Sequence, residues 1–246
     1  MDRFLYIAMS GAKETMHAQA INNHNLANAS TDGFRKALAT ADTVPVHGPV
    51  HDSRAYAQVG TDRADFSAGP LRRTGRDLDI AVKGEGFIAV QGPDGEEAYT
   101  RAGKLHVDAF GLLRNAQGHQ VLGDGGPIAI PPQERIEIGT DGTISVLPQG
   151  VTPDAVAAVE RIRLVNPDVD ELERGEDGLF RLADGGVAPA DAAVQVVSGT
   201  LEGSNVSTVD ALTRMIELSR HFEMQVKMMD TANRLEQSSN RLLGLG

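Results

Sequence analysis

Residues 207–226 read Ser207-Thr208-Val209-Asp210-Ala211-Leu212-Thr213-Arg214-Met215-Ile216-Glu217-Leu218-Ser219-Arg220-His221-Phe222-Glu223-Met224-Gln225-Val226. Ser207 followed three residues on by Asp210 is a capping-box-like helix start. The hydroxyl accepts from an orphan amide, and the carboxylate sits at the positive helix end. Heptad lettering runs on from there. One seam position carries Leu212, Ser219, Val226, Asn233 and Asn240, and the other carries Met215, Phe222, Met229, Glu236 and Leu243. The first half is a good apolar seam; the second half is polar at both positions. Asp210–Arg214, Glu223–Lys227 and Asp230–Arg234 are acid-then-base pairs at i,i+4, each stabilising by roughly 0.2–0.5 kcal/mol. The chain therefore closes on a long helix with one face prepared for a partner.

The other end offers that partner. Leu5, Met9, Ala12, Met16 and Ala20 fall at i, i+4, i+7, i+11 and i+15, one face of a second helix. The stripe is narrow and made of small or flexible residues, which suits helix–helix packing. Turn formers in Ala29-Ser30-Thr31-Asp32-Gly33 end this helix near Asn28. All 11 prolines lie between Pro45 and Pro189, so both ends are free to be helical. Charge divides at the same places. Residues 1–30 and 207–246 are each neutral overall, so the whole net charge of −11 falls on residues 31–206. Neutral ends can pack side by side while an acidic middle stays solvated.

That middle reads as β. The candidate strands are 87–90, 99–101, 104–107, 135–138, 143–146, 161–165, 179–182 and 194–197. Several alternate apolar and polar residues as half-buried antiparallel strands do. Asp94-Gly95 and Asp141-Gly142 are hairpin signals. Residues 38–70, with Pro45, Gly48, Pro49, Gly60 and Pro70, read as an extended arm or loop.

Composition closes off most chemistry. The chain has 246 residues, 41% of them hydrophobic but only 4% aromatic, so a core is affordable in size and mostly aliphatic. An acidic chain lacks the clustered Lys and Arg that nucleic acid demands. No apolar run approaches the roughly 20 residues of a membrane span. Arg3 is cancelled by Asp2, and the apolar run 4–9 is short, so no cleaved signal peptide is expected. Absence of Cys removes disulfides, thiolate catalysis and Cys-ligated metals. His47 and His51 are separated by Pro49, which forbids the helix that would align them on a metal. Asp77 and Asp79 alternate with Leu78 and Ile80, the pattern of a strand with a wet side rather than of a catalytic pair. Gly84-Glu85-Gly86 opens no helix and reads as a tight turn, not a nucleotide fingerprint. No enzyme, cofactor or metal is expected.

Two segments carry more than periodicity. Asn25-Leu26-Ala27-Asn28-Ala29-Ser30-Thr31-Asp32-Gly33-Phe34-Arg35 resembles the N-terminal signature of the flagellar rod and hook family, N-L-A-N-x-x-T-x-G-F/Y-[KR]. Leu201-Glu202-Gly203-Ser204-Asn205-Val206, with Met215-Ile216 and Arg220-His221-Phe222-Glu223, resembles its C-terminal block, E-x-S-N-V…M-I…R-x-[FY]-E. Segments 69–74, 77–81, 84–87 and 99–103 agree in order between them. Within the family the pattern is nearer a proximal rod subunit than its distal sibling, which more often reads N-N-L-A-N-V-S-T-x-G-F-K and R-A-Y-E.

The resemblance implies a structural subunit exported through the flagellar type III apparatus. It would polymerise helically with copies of itself and with other proximal rod subunits and the distal rod protein, forming the hollow drive shaft of the basal body. The implied fold is α+β: a mainly antiparallel β middle domain with N- and C-terminal helices pairing as a coiled-coil-like inner layer. The implied division is 1–35 for the N-terminal helix, 36–75 for an arm, 76–198 for the outer β domain and 199–246 for the C-terminal helix. Assembly contacts would fall on Asn25, Leu26, Asn28, Thr31, Gly33, Phe34, Glu202, Ser204, Asn205, Val206, Leu212, Met215, Arg220, Phe222, Glu223, Val226 and Met229. A plain solvated helical pair is the rival reading of Arg220 and Glu223. The terminal helices would be disordered in a free monomer and order on assembly. Gly33 would then act only in the polymer, leaving the β domain's own stability untouched. The alternatives are a distal rod or hook subunit and a secreted β-domain binding module.

Overall fold

The computed structural model describes residues 2–45, 55–59, 63–148 and 157–243. Packing divides the chain into two compact units that interleave in sequence: Met1–Ala29, Lys36–Asp65 and Val206–Gly246 in one, Ser30–Arg35 and Phe66–Asn205 in the other.

The first unit is built on two helices, α1 (Asp2–Ala27) and α2 (Thr208–Leu243). The start of α2 is capped as its sequence requires, with Ser207 Oγ accepting from Asp210 N at 3.3 Å. The helices run antiparallel. Asn22 Nδ2 donates to Ala211 O at 2.8 Å, while Gly11, earlier on α1, abuts Gln225 further along α2. Among α2 side chains, Ala211, Met215, Leu218, Phe222, Gln225, Met229 and Ala232 are buried or half-buried, alternating at four and three residues. On α1 the inward set is Ala8, Ala12, Thr15, Gln19 and Asn22.

This corrects both stripes. The position carrying Met215, Phe222 and Met229 faces inward as lettered, but its companion is Ala211, Leu218, Gln225 and Ala232. Leu212 and Val226 lie one residue off, at 46% and 43% exposure. Met9 and Met16 likewise point outward, at 53% and 58%, in favour of Ala8 and Thr15. One residue is about 100° of helix. On α1 the cause is size: alanine and glycine on its inward face leave room for the larger Met215, Leu218, Phe222 and Met229 of α2. A Cβ on Gly11 would come within 2.9 Å of Gln225 Nε2. The side chains of Leu5, Glu236, Asn240 and Leu243 lie outside the described residues. On the outer surface, Asp230 and Arg234 pair at 2.8 Å.

The arm is a paired ribbon rather than a loop. Ala41–Pro45 pairs antiparallel with Ala55–Val59, and Ala37–Leu38 with Arg63–Ala64. Weak side-chain periodicity hides such a ribbon, because its ladder is made by backbone groups alone. His47 and His51 lie outside the described residues.

The second unit is antiparallel β. Its main sheet runs in the order Leu172–Arg174, Phe180–Leu182, Glu97–Thr100, Phe87–Gln91, Gln120–Gly123, Leu113–Asn115, Leu105–Val107. A three-stranded sheet joins Gln133–Ile138, Thr143–Pro148 and Ala157–Arg161. Two ribbons complete it: Ile80–Lys83 with Gln195–Ser198, and Leu71–Arg73 with Thr200–Glu202. Asp94-Gly95 and Asp141-Gly142 turn their hairpins as expected, and Gly84-Glu85-Gly86 turns 80–83 into 87–91. The core is aliphatic, centred on Ile80, Ile88, Val90, Leu105, Leu113, Val121, Ile144 and Ile162. The run 161–165 is two strands, not one: Ala157–Arg161 ends and Leu164–Val165 begins a separate pairing with 87–88. Asp77 and Asp79 do not share a wet face either. Asp77 is exposed, whereas Asp79 is buried, 3.6 Å from Arg76 Nε.

Candidate assembly site

Strand Thr200–Glu202 ends on a carboxylate that is 1% exposed. In the second unit everything the two signature segments contribute gathers round it. Glu202 Oε1 accepts from Arg35 Nη2 at 2.7 Å and from Gly69 N at 2.9 Å; Oε2 accepts from Arg101 Nη1 at 3.2 Å. The Glu202 backbone carbonyl accepts from Gly33 N at 2.7 Å. Arg35 is 1% and Arg101 5% exposed, so these are charge-assisted bonds in a water-poor setting. Arg101 Nη2 also donates to Gly84 O at 2.8 Å, tying in the 84–86 turn.

A second layer is aromatic. The Arg101 guanidinium lies 5.1 Å from the Phe87 ring. Phe66 meets Phe87 edge-on at 5.8 Å and Phe180 tilted at 5.1 Å. Arg174 stacks over Phe34 at 5.0 Å and Phe180 at 5.1 Å, and donates to Arg35 O. Burial pulls both the Arg101 and Arg174 guanidiniums below their ordinary value, and Glu202 opposes this at Arg101. Two cations, Arg35 and Arg101, thus share one buried carboxylate, while Arg174 is held by ring faces and the Arg35 carbonyl. Nε of Arg35, Arg101 and Arg174 has no hydrogen-bond partner among the described residues. The ring faces accept part of that charge through cation–π attraction.

Close approach fixes the backbone. Gly33 has φ +72, and a Cβ there would sit 2.3 Å from Arg101 C. The expectation that Gly33 matters only in the polymer is therefore corrected: it is packed into the β unit, against residues 101–102. A Cβ on Gly69 would lie 2.0 Å from Gly203 O, which admits nothing larger than glycine. Asn205 closes the knot, its Nδ2 donating to Ser67 O at 3.1 Å and its N to Phe34 O at 3.3 Å. Ser204 is buried, and Thr31 and Phe34 are half-buried.

The remaining expected residues belong to the helical unit. Asn25 is buried and brackets Ala37, donating to its O and accepting from its N, both at 2.8 Å. Asn28 Nδ2 caps α1 by donating to His24 O at 2.9 Å. Leu26 and Val206 are half-buried. Met215, Phe222 and Met229 face the helix seam, while Leu212, Val226, Arg220 and Glu223 are exposed on α2. Arg174, Phe66 and Phe180 were not legible as members of the knot. The available signal was compositional: four of only 7 Phe, at 34, 66, 87 and 180, meet here.

No group of metal-ligating side chains occurs among the described residues, and no described helix is long and apolar enough to cross a membrane. Comparison with known proteins identifies the family. Residues 197–242 match the family model "Flagellar basal body rod FlgEFG protein C-terminal". Residues 81–146 match "Flagellar hook protein FlgE/F/G D1 domain". The flagellar basal-body rod protein FlgF of Salmonella typhimurium is 43% identical over 251 residues, covering 100% of both chains. FlgF of Escherichia coli is equally similar, at 43% over 251 residues with 100% of both covered. FlgF of Caulobacter vibrioides is 33% identical, with 99% of each chain covered. The chain belongs to the flagellar rod and hook family, whose members are structural proteins and not enzymes.

Proposed function

We propose that the chain is a structural subunit of the flagellar basal-body rod, in its proximal part. It polymerises helically with copies of itself and with other rod proteins, the distal rod protein among them, into a hollow shaft that transmits torque and lets exported subunits pass. It reaches the rod through the flagellar type III export apparatus, without contacting nucleic acid or spanning a membrane. The terminal helices form the inner, coiled-coil-like layer and the β unit the outer one. FlgF relatives similar along their full length support the rod assignment.

One observation carries the assembly mode. The seam between α1 and α2 sets small and polar residues of α1 against Met215, Leu218, Phe222 and Met229 of α2, and a second set of large apolar side chains points away from it. Tyr6, Met9 and Met16 on α1, and Val209, Leu212, Ile216, Val226 and Leu235 on α2, are all at least 43% exposed. Such surface marks a protein interface. Neighbouring helix pairs would bury it, at roughly 25 cal/mol per Å² of apolar area. The test is Val226→Asp. Exposed in the single chain, it should leave the monomer's stability within about 0.5 kcal/mol of the parent, yet abolish rod assembly and motility. Normal rods and swimming in that variant would overturn the reading.

A further inference from the structure

Among the described strands of the second unit, two sheet edges carry opposite charge. Strand Leu71–Arg73 pairs on one side with Thr200–Glu202 and on the other with no described strand. All three of its residues are exposed, Leu71 at 58%. Residues 71–76, Leu-Arg-Arg-Thr-Gly-Arg, carry three cations and no acid. The side chains of Arg72 and Arg76 are 70% and 48% exposed, with Asp32 3.4 Å from Arg72 and Asp79 3.6 Å from Arg76.

The other edge is strand Leu172–Arg174, the outermost of the main sheet. Residues 168–173, Asp-Val-Asp-Glu-Leu-Glu, carry four acids and no base. Asp168, Asp170, Glu171 and Glu173 are all exposed, and Val169 among them is 45% exposed. Val169–Glu171 form a single 3-10 turn that leads into the strand, capped by Asp168, whose Oδ1 accepts from Asp170 N at 3.1 Å. No ion pair joins the two edges within the chain among the described residues.

We propose that these edges are the two halves of one contact: the basic edge 71–76 of one subunit docks on the acidic edge 168–173 of a second copy of this chain. The inference rests on the rod assignment and gives the β units a contact of their own, separate from the helices. An unpaired strand edge is a template for another strand unless it is guarded by charge. Here the guards are complementary. Two basic edges repel, two acidic edges repel, and only the unlike pair attracts, with Leu71 and Val169 meeting as the apolar centre. Because the two edges lie on different strands, the contact is heterologous. It leaves a free edge at each end and propagates instead of closing as a dimer. Exposed charges also make it salt-dependent and modest in strength, so it is measurable between free chains at low salt and is reinforced among subunits gathered by other contacts.

The chain contains no Cys, so single cysteines report cleanly. In the full-length protein, an equimolar mixture of Leu71→Cys and Val169→Cys should, on oxidation at low salt, give mainly the unlike disulfide dimer, and lose it at high salt. Val187→Cys, also exposed at 57%, replaces Leu71→Cys in the control mixture. A chain with Arg72→Glu and Arg73→Glu, and another with Asp170→Lys and Glu171→Lys, should each sediment as monomers. Mixed, they should associate about as tightly as the parent does with itself, and at least tenfold more tightly than either variant does with itself. An unlike-dimer yield no higher than the control, together with a monomeric mixture, would overturn the proposal. If the charge-reversed chains lose this association yet build normal rods, the contact is dispensable and the proposal fails while the rod assignment stands. Absence of the parent chain from isolated basal bodies would instead remove the rod assignment itself.

Discussion

Replacing Glu202 by Gln tests the knot at its centre. The change keeps shape and removes one charge. Arg35 and Arg101, at 1% and 5% exposure, then stay buried with no carboxylate, and the 2.7 Å and 3.2 Å bonds lose their charge assistance. Removing one partner of a buried pair costs about 3–5 kcal/mol, because the remaining charge is left unneutralised. With a urea m-value of about 2 kcal/mol/M for a domain of this size, the midpoint for the β unit should fall by about 2 M. Far-UV circular dichroism of the full chain reads the transition directly. A cycle with Arg35→Met separates the pair from its surroundings. The double variant should be less destabilised than the sum of the singles, by at least about 1 kcal/mol. If Glu202→Gln costs under about 1 kcal/mol, or the two substitutions simply add, Glu202 is not what neutralises these arginines and the account of the site is wrong.

Other outcomes follow from single residues. Gly33→Ala should lower the melting temperature of the β unit, because φ +72 and the 2.3 Å approach to Arg101 C leave no place for a Cβ. Backbone strain alone is about 1–3 kcal/mol, and an unchanged melting temperature would refute the packing described. Phe222→Ala should weaken the helix pair in the free chain by about 2 kcal/mol, read as faster amide exchange in α1 and α2. Tyr99→Phe removes the hydroxyl that accepts from Ala188 N at 2.7 Å and should cost about 1–3 kcal/mol by leaving a buried amide unpaired. The hydrogen bond from Arg181 holds the Asp177 carboxyl below its ordinary value of 3.8. The unfolded chain therefore binds this proton more readily. The stabilisation is fully present above pH 3.8, is lost as pH falls through the lower folded value, and should shrink in the acid limb of Arg181→Gln, where the Leu179 N bond remains.

The helical ends were legible because proline, charge and heptad spacing all act locally. The row Met215, Phe222 and Met229 lies where the heptad places it, while its companion row on α2 and the α1 stripe are shifted by one residue at the positions where a large side chain reads as inward. Met9 and Leu212 are larger than Ala8 and Ala211, yet close backbone approach selects the small residues, and the large ones are left for outside contacts. The hairpins at Gly95 and Gly142 announce themselves in Asp-Gly pairs. Strands Leu113–Asn115 and Gln120–Gly123 do not, being short and interrupted by Asn, Gln and Gly. At the site, family-like motifs marked Gly33, Phe34, Glu202 and Asn205, but not what they touch. Glu202 finds Arg35 across 167 positions and Arg101 across 101, and no local pattern encodes such a meeting.

The same separations set an order in time. Residues 30–35 and the strand Leu71–Arg73 have their partners at 200–205, so the β unit stays open until nearly the last of its chain is available. A chain delivered N-terminus first, from a ribosome or through a narrow conduit, can form its early hairpins but cannot seat Arg35 or close the edge ribbon. Contacts this distant in sequence slow folding, because a long loop must close before they form. The carboxylate at position 202, with the strand that carries it, is thus among the last parts of the β unit to become available as the chain is delivered.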